Sequence, residues 1–449
     1  MHTLLPLPRS WPPLLLFLLG CGQLLGQSAP AFTLEQCLDY ALENRPALRN
    51  ARLLTRNAEL NNDIALSAWK PFVTLGGGLT NNIKQQVSIF PSFMNPGEFQ
   101  EVTIGTKWTS NANATATQLL YSPAVALDAR LQNPLVERAR LDVETIEIQV
   151  RAEVEAAFYQ TIRRREEIDL VRSNIERLER ALRDARLYYE EGIADKVDYK
   201  RATIARNRAR QNLRAAELAY LTGLESLKQT MGYPTDRELT LQYAFTEYVD
   251  AILTDSLLDL NPRERVELRA LVLDGIVQDL TITGARQSWL PQVSASAQYS
   301  YNWQANTFGD LYARSFPAAY AALNVNVPLF SGFRRFRTVE LETVRRNQIE
   351  LDIADLRDRI ELEYATALNG YGTARESFML ARENSELAQE VYDVVLLQYR
   401  EGIEPFLEVV IAENDLQVAR INTLNALVDA MLARLDLRVA TGTITTSYD

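Results

Sequence analysis

The chain repeats itself, and this constrains its fold more than any single motif. Arg45-Pro46-Ala47-Leu48-Arg49 returns as Arg265-Val266-Glu267-Leu268-Arg269, and Trp69-Lys70-Pro71 returns as Trp289-Leu290-Pro291, each 220 residues later. Farther along, Leu120-Tyr121-Ser122 matches Leu329-Phe330-Ser331, and Tyr189-Glu190-Glu191-Gly192-Ile193 matches Tyr399-Arg400-Glu401-Gly402-Ile403. Met231-Gly232 then aligns with Thr441-Gly442, and the offset is now 209 or 210. Five anchors in one order indicate a duplication. The fall in offset, about ten residues, places a longer loop in the first copy around Gln85 to Gln100, where Pro91, Pro96 and Gly97 suit a loop.

Within each copy the apolar period changes twice. Residues 34–68 and 262–288 carry apolar side chains three and four apart, as in Leu48, Ala51, Leu54 and Ala58, and each is expected to be a helix. Four charge-free stretches follow, 71–83 and 108–127 in the first copy and 287–309 and 315–333 in the second. Their apolar residues alternate. Val293, Ala295, Ala297, Tyr299, Tyr301 and Trp303 interleave with Gln292, Ser294, Ser296, Gln298, Ser300, Asn302 and Gln304. The segment 102–117 does the same, from Val102 and Ile104 through Trp108 to Ala116. Period two predicts strands with one apolar face. The polar faces carry Ser, Thr, Asn and Gln almost without charge, as a wet lumen requires, and the strands are long enough to cross a bilayer when tilted. A helical span over 315–333 is excluded by Pro317, Asn324, Asn326 and Pro328.

A very long helix is predicted after each strand pair. Residues 123–190 contain one internal proline, Pro134, and at 1.5 Å per residue reach about 100 Å. Residues 332–400 contain none. Their seam runs Ile353, Leu356, Ile360, Tyr364, Ala367, Tyr371, Ala374, Phe378, Ala381, Ser385, Ala388, Tyr392, Val395, Tyr399 in steps of three and four, a heptad seam that implies left-handed supercoiling. Gly370 and Gly372 mark a soft point. Turns at Gly192 and Gly402 lead to return helices over 196–231 and 405–440. The run Arg163-Arg164-Arg165-Glu166-Glu167 reads as a solvated, salt-bridged face.

What is scarce removes whole function classes. The one histidine is His2, so His-based triads and His-ligated metal sites are excluded. Cys21 and Cys37 cannot make a disulfide framework, and Cys37 among Leu34, Leu38 and Ala41 reads as a half-buried apolar residue. Lys+Arg 47 against Asp+Glu 58 gives a net charge of −11, which leaves no basic excess for nucleic acid. Gly76-Gly77-Gly78 lies within a strand, without the strand-to-helix setting of a dinucleotide site. Neither an enzyme nor a cofactor is expected. The N-terminus is an address: His2 and Arg9 precede an apolar run ending in Leu18-Leu19-Gly20-Cys21, which reads as a signal peptide over 1–20. That ending resembles a lipobox with Cys21 as the lipidated residue, while Ala29-Pro30-Ala31 would serve ordinary cleavage, and both routes stay open.

Four strands do not close a barrel, since about eight is the smallest that fills, and lipid does not tolerate unpaired edges. Several chains must share one barrel. A soluble or periplasmic coiled-coil scaffold or adaptor is the alternative, and it leaves the alternating stretches unexplained. Together with Val327-Pro328-Leu329-Phe330-Ser331-Gly332, the paired anchors resemble the TolC-type outer-membrane efflux family over roughly residues 33 to 442. The resemblance implies a mainly α fold with β: a trimeric, twelve-stranded outer-membrane barrel, four strands per chain, continued by a periplasmic α-barrel. It divides the chain into a first repeat over 33–236, a linker over 237–257, a second repeat over 258–442 and a tail over 443–449. It implies passive export in a tripartite efflux or type I secretion system, with a periplasmic adaptor and an inner-membrane pump as partners. It also places a periplasmic gate at Tyr399, Glu404 and Glu408 in the second repeat and at Tyr189 and Asp198 in the first. Ile411 stands where many members carry a second acidic ring.

Overall fold

A computed structural model describes residues 31–91, 97, 99–254 and 265–444; the signal segment, Cys21 and the end of the tail lie outside the described residues. In chain order the elements are β1 (Ala31–Phe32), α1 (Leu34–Asn44), α2 (Pro46–Ser67), β2 (Phe72–Asn81), β3 (Gln86–Pro91), β4 (Phe99–Ile104), β5 (Trp108–Tyr121), α3 (Pro123–Glu190) and α4 (Lys196–Met231). Then come β6 (Thr240–Leu241), α5 (Phe245–Thr254), α6 (Val266–Gln287), β7 (Gln292–Ala305), β8 (Ser315–Asn326), α7 (Arg334–Arg400) and α8 (Phe406–Thr441).

The helix expected over 34–68 is two helices. Proline disfavours the α conformation in the residue before it, and Arg45 accordingly sits at φ −63°, ψ 125°, between α1 and the Pro46 that opens α2. Arg265, the counterpart of Arg45, takes the same conformation, φ −61°, ψ 122°, at the start of α6. The loop expected between Gln85 and Gln100 is largely a hairpin, β3 against β4. Val102 and Ile104 belong to this hairpin and not to the strand that starts at Trp108, because Gly105, at φ +88°, turns the chain between them. The described part of the 237–257 linker, residues 237–254, is also structured. Its β6 pairs in parallel with β1, and Ile252 of α5 is buried in the main core.

The four long strands make one antiparallel sheet in the order β2-β5-β7-β8. Its register keeps like with like. Ala112, Ala114 and Ala116 face Tyr301, Tyr299 and Ala297, while Asn111, Asn113 and Thr115 face Asn302, Ser300 and Gln298. Every side chain therefore keeps its own side, as a period of two demands. Gly76 and Gly78 leave room on the polar side, where a Cβ at Gly78 would come within 2.9 Å of the Asn111 amide oxygen. On the apolar side aromatic rings gather near one strand end: Tyr301 stacks on Trp303 at 6.0 Å, and Trp303 meets Tyr312 at 5.4 Å. The edge strand β8 departs from strict alternation. Phe316, Ala318, Tyr320 and Ala322 pair with the polar side of β7, and the Tyr320 hydroxyl donates to Gln298 at 3.2 Å.

α3 and α7 run 68 and 67 residues. α3 pairs with α4 and α7 with α8. All fourteen seam residues of α7 are buried or half-buried, with Ile360, Tyr371, Phe378, Tyr392 and Tyr399 the deepest. Helix α7 continues unbroken through Gly370 and Gly372. The main core lies where α1 and α5 wrap the middle of the long helices, around Phe158, Ile162, Leu227, Met231, Tyr371 and Phe378. Each such side chain contributes about 1.5–3 kcal/mol by leaving water. Cys37 is fully buried there, deeper than its spacing implied, and burial pushes its thiol pKa up to about 12. The 163–167 run is not simply solvated. Arg163 reaches Asn425 at 2.9 Å, Arg164 the carbonyl of Ala219 at 3.0 Å, and Glu166 accepts from the Tyr243 hydroxyl at 2.8 Å.

The register makes the two faces of the sheet separately testable. Ala297→Arg, on the apolar side between Ala116 and Ala321, is expected to cost about 2–4 kcal/mol against lipid and to deplete the protein from the membrane fraction. Ser296→Arg, one residue away on the polar side, is expected to leave the membrane-bound amount unchanged. Immunoblots of fractionated cells check both.

Candidate functional site

The end of the molecule that carries the five candidate residues is built by two matching turns. Helices α3 and α7 each finish one residue before a Glu cap, followed by a glycine at φ +80° (Gly192) or +75° (Gly402). The Ile193 N–H donates back to the Tyr188 carbonyl and the Ile403 N–H to the Gln398 carbonyl, both at 2.8 Å. Such a closing bond needs a left-handed residue in the turn, and glycine adopts it without a Cβ clash. The return helices then start at Asp195, whose side chain accepts from the Val197 N–H at 2.9 Å, and at Pro405. Asp198 and Glu408 lie at corresponding places in the first turns of α4 and α8. A carboxylate is stabilised there by the unpaired N–H groups of the helix start. Ile193 and Ile403 project from the two tips, each 70% exposed.

The five predicted residues divide into two groups. Tyr399 and Asp198 are brought together: the Tyr399 ring is buried between Tyr188, at 5.7 Å, and Phe406, at 5.3 Å. Burial first, and then the charge of Asp198, push its phenol up to about 12. Its hydroxyl is buried without a hydrogen-bond partner among the described residues. Tyr189 goes elsewhere. It is 39% exposed and pairs with Tyr199 at 5.7 Å rather than joining Tyr399, so the two tyrosines matched by sequence do different things. Glu404 and Glu408 are half-exposed at the start of α8, and Ile411, 45% exposed, follows on the same helix. One chain supplies one of each carboxylate, so a ring requires further copies.

Sequence reasoning missed the polar group just behind this end. Glu413 of α8 accepts from Arg177 Nε through both oxygens, at 2.9 and 3.1 Å, and from Asn174 Nδ2 at 2.5 Å. Arg177 Nη1 also donates to Ser173 at 2.9 Å. Both charged side chains are under 10% exposed. Burial raises the Glu413 pKa, and Arg177 and Asn174 draw it partly back. Tyr392 is pushed up to about 12 by the same burial and the nearby Glu413 charge. One signal was available: Glu413 sits among the buried Val409, Ala412 and Leu416, where helical spacing calls for an apolar residue.

Long paired helices joined to an open four-stranded sheet are also what the comparisons with known proteins return. The chain matches the outer membrane efflux protein family over residues 37–233 and again over 265–443. It is 22% identical over 436 residues to the outer membrane efflux protein BepC of Brucella suis, covering 95% of this chain and 89% of that one. Among solved structures, CusC superposes with a TM-score of 0.72 at 12% identity, covering 92% of each chain. VceC of Vibrio cholerae superposes with 0.69 at 14% identity, covering 91% of this chain and 96% of the other. The open-state MtrE channel of Neisseria gonorrhoeae gives 0.66 at 16%, with 91% and 88% covered. The chain therefore belongs to the outer membrane efflux protein family. It is a TolC-type outer-membrane channel for efflux that extends into the periplasm, and the family is one of transport proteins rather than enzymes.

The buried phenol yields a signed pH prediction. The folded chain holds the Tyr399 proton from the usual value of 10.0 up to about 12. The unfolded chain releases it earlier, so this stability is present below the unfolded value and lost as pH rises through the folded one. Tyr399→Phe is expected to remove that alkaline loss. At neutral pH the variant is expected to match the wild type or exceed it by about 1 kcal/mol, since a buried unpartnered hydroxyl is costly. Thermal midpoints in detergent at neutral and alkaline pH check it, and marked destabilisation of the variant at neutral pH contradicts it.

Proposed function

We propose that three copies of the chain join their four-stranded sheets into one twelve-stranded outer-membrane barrel, with the paired helices continuing as a hollow periplasmic duct. The observation that carries this reading is the sheet itself, with one apolar face, strands of 10 to 14 residues, and outer strands β2 and β8 that, among the described residues, pair on one side only. Lipid requires such edges to be paired, and closure of β8 onto β2 of the next copy does so. A scaffold without a channel leaves the apolar face without a solvent.

The reading takes each chain as two copies of one unit, 33–236 and 258–442, joined by 237–257. Two successive family matches support it. So does a paired contact: Arg45 bonds Glu153, and Arg265 bonds Glu363, offsets of 220 and 210 that follow the change in spacing between the copies. Substrates pass passively, and a periplasmic adaptor and an inner-membrane pump supply delivery and energy in a tripartite efflux or type I secretion system. The exposed Ile193 and Ile403 offer apolar contacts for the adaptor at the duct tips. The same end narrows where Glu404, Glu408 and Asp198 of three chains converge, with Tyr399 packing behind them and Tyr189 outside. Converging carboxylates concentrate cations and repel anions. Ile411, lacking charge, weakens that selectivity.

The test is block of single-channel current by trivalent cations added on the periplasmic side. Glu408→Ala is expected to weaken block about tenfold, a loss of about 1.4 kcal/mol of attraction. Unchanged block removes Glu408 from the narrowing.

A further inference from the structure

The two helical hairpins α3/α4 and α7/α8 meet mainly along one antiparallel face, α3 against α8, with only a small contact between α4 and α8. Three polar rungs cross that face in sequence. Arg438 pairs with Glu155 at 3.2 Å near the core, Arg163 bonds Asn425 at 2.9 Å, and Arg177 pairs with Glu413 nearest the turns. Glu413 lies five residues beyond Glu408, about 7.5 Å farther along α8. The packing around this last rung includes small side chains, Ala181, Ala185 and Ala412. Such residues allow close approach but do little to oppose sliding.

The ion pair does oppose it. Glu413 accepts from Arg177 Nε on both oxygens and from Asn174, and it keeps these partners only while α8 holds its place on α3. A shift of α8 along α3 would leave two buried charges apart, which is the costly case for buried ions. Apolar packing on the same face would slide with far less penalty. Arg177 has one further buried nitrogen, Nη2, without a partner among the described residues, so its charge is met by Glu413 through Nε alone. Tyr392 of α7 lies against Glu413, which ties the other helix of the second hairpin to the same point.

We propose that Arg177 and Glu413 are positioning residues that fix the axial register of the second hairpin on the first, and thereby set the resting aperture at the Glu404 and Glu408 end. This rests on the duct reading above. Neither residue touches the transported substrate; they act through the helix that carries the carboxylates.

The experiment uses the full-length protein in planar bilayers, with thermal midpoints measured on the same preparations. Arg177→Met combined with Glu413→Gln removes both charges, leaves no ion stranded and keeps an acceptor for Asn174. The double variant is expected to retain a thermal midpoint close to the wild type while its resting conductance rises several-fold. A stable double variant with wild-type conductance overturns the proposal. Should the double variant fail to assemble, Glu413→Gln alone is read by the same criterion: a several-fold rise supports the register role and wild-type conductance overturns it. The two readings fail differently. A wild-type protein that forms no channel defeats the duct, whereas a conducting wild type matched by its variants defeats only the register pair.

Discussion

The account depends on unpaired backbone at the edge of a sheet. A strand in water can leave its outer N–H and C=O groups to the solvent, but in lipid each must find a protein partner. The sheet in this chain has four strands, one apolar side and an outer strand at either end. Closing it on itself is excluded by number, because four strands cannot enclose a filled interior. On the proposed reading other copies satisfy the edges, and oligomerisation is then part of what makes the fold permissible in a membrane.

The helices answer a different requirement. A helix of 67 or 68 residues reaches about 100 Å, and nothing in its own backbone keeps so long a rod straight or in register. The heptad seam on α7 supplies continuous packing against α8, and the alanines within it let the helices approach closely. That seam joins α7 to α8 and leaves the docking of α8 on α3 to other contacts. The polar rungs between α3 and α8 add what the seam lacks, a bond with one acceptable register. Stability and register are thus supplied by different residues on the same helices.

Much of this is legible in the amino-acid sequence alone. Period two, period three-and-four, and the repeated glycine turns are local signals, and local geometry writes them directly into side-chain order. The four sheet strands, the two long helices and both return helices could be read in this way, Lys196–Met231 to the residue. What was misread depended on context. Helix α1 ends at Arg45 because of one proline that a periodicity count passes over. The 85–100 loop hides a hairpin in which apolar residues of one strand face polar residues of the other, as in Ser88 opposite Val102 and Ile89 opposite Glu101, and the alternation of Val102 and Ile104 reads as part of the next strand. At the candidate site, the placement of Tyr399 on the seam was visible, but its separation from Tyr189 was not. The pairing of Arg177 with Glu413 joins residues 236 apart in sequence and is specified only by how two hairpins dock. A charge at an apolar spacing is the one trace it leaves.

The most direct test of the shared barrel is the mass of the protein extracted in detergent from isolated outer membranes, corrected for bound detergent. The account predicts three chains per particle. A monomer in the membrane would contradict it by leaving the edges of β2 and β8 unpaired in lipid, and a protein absent from the membrane fraction would contradict it by leaving those edges to water.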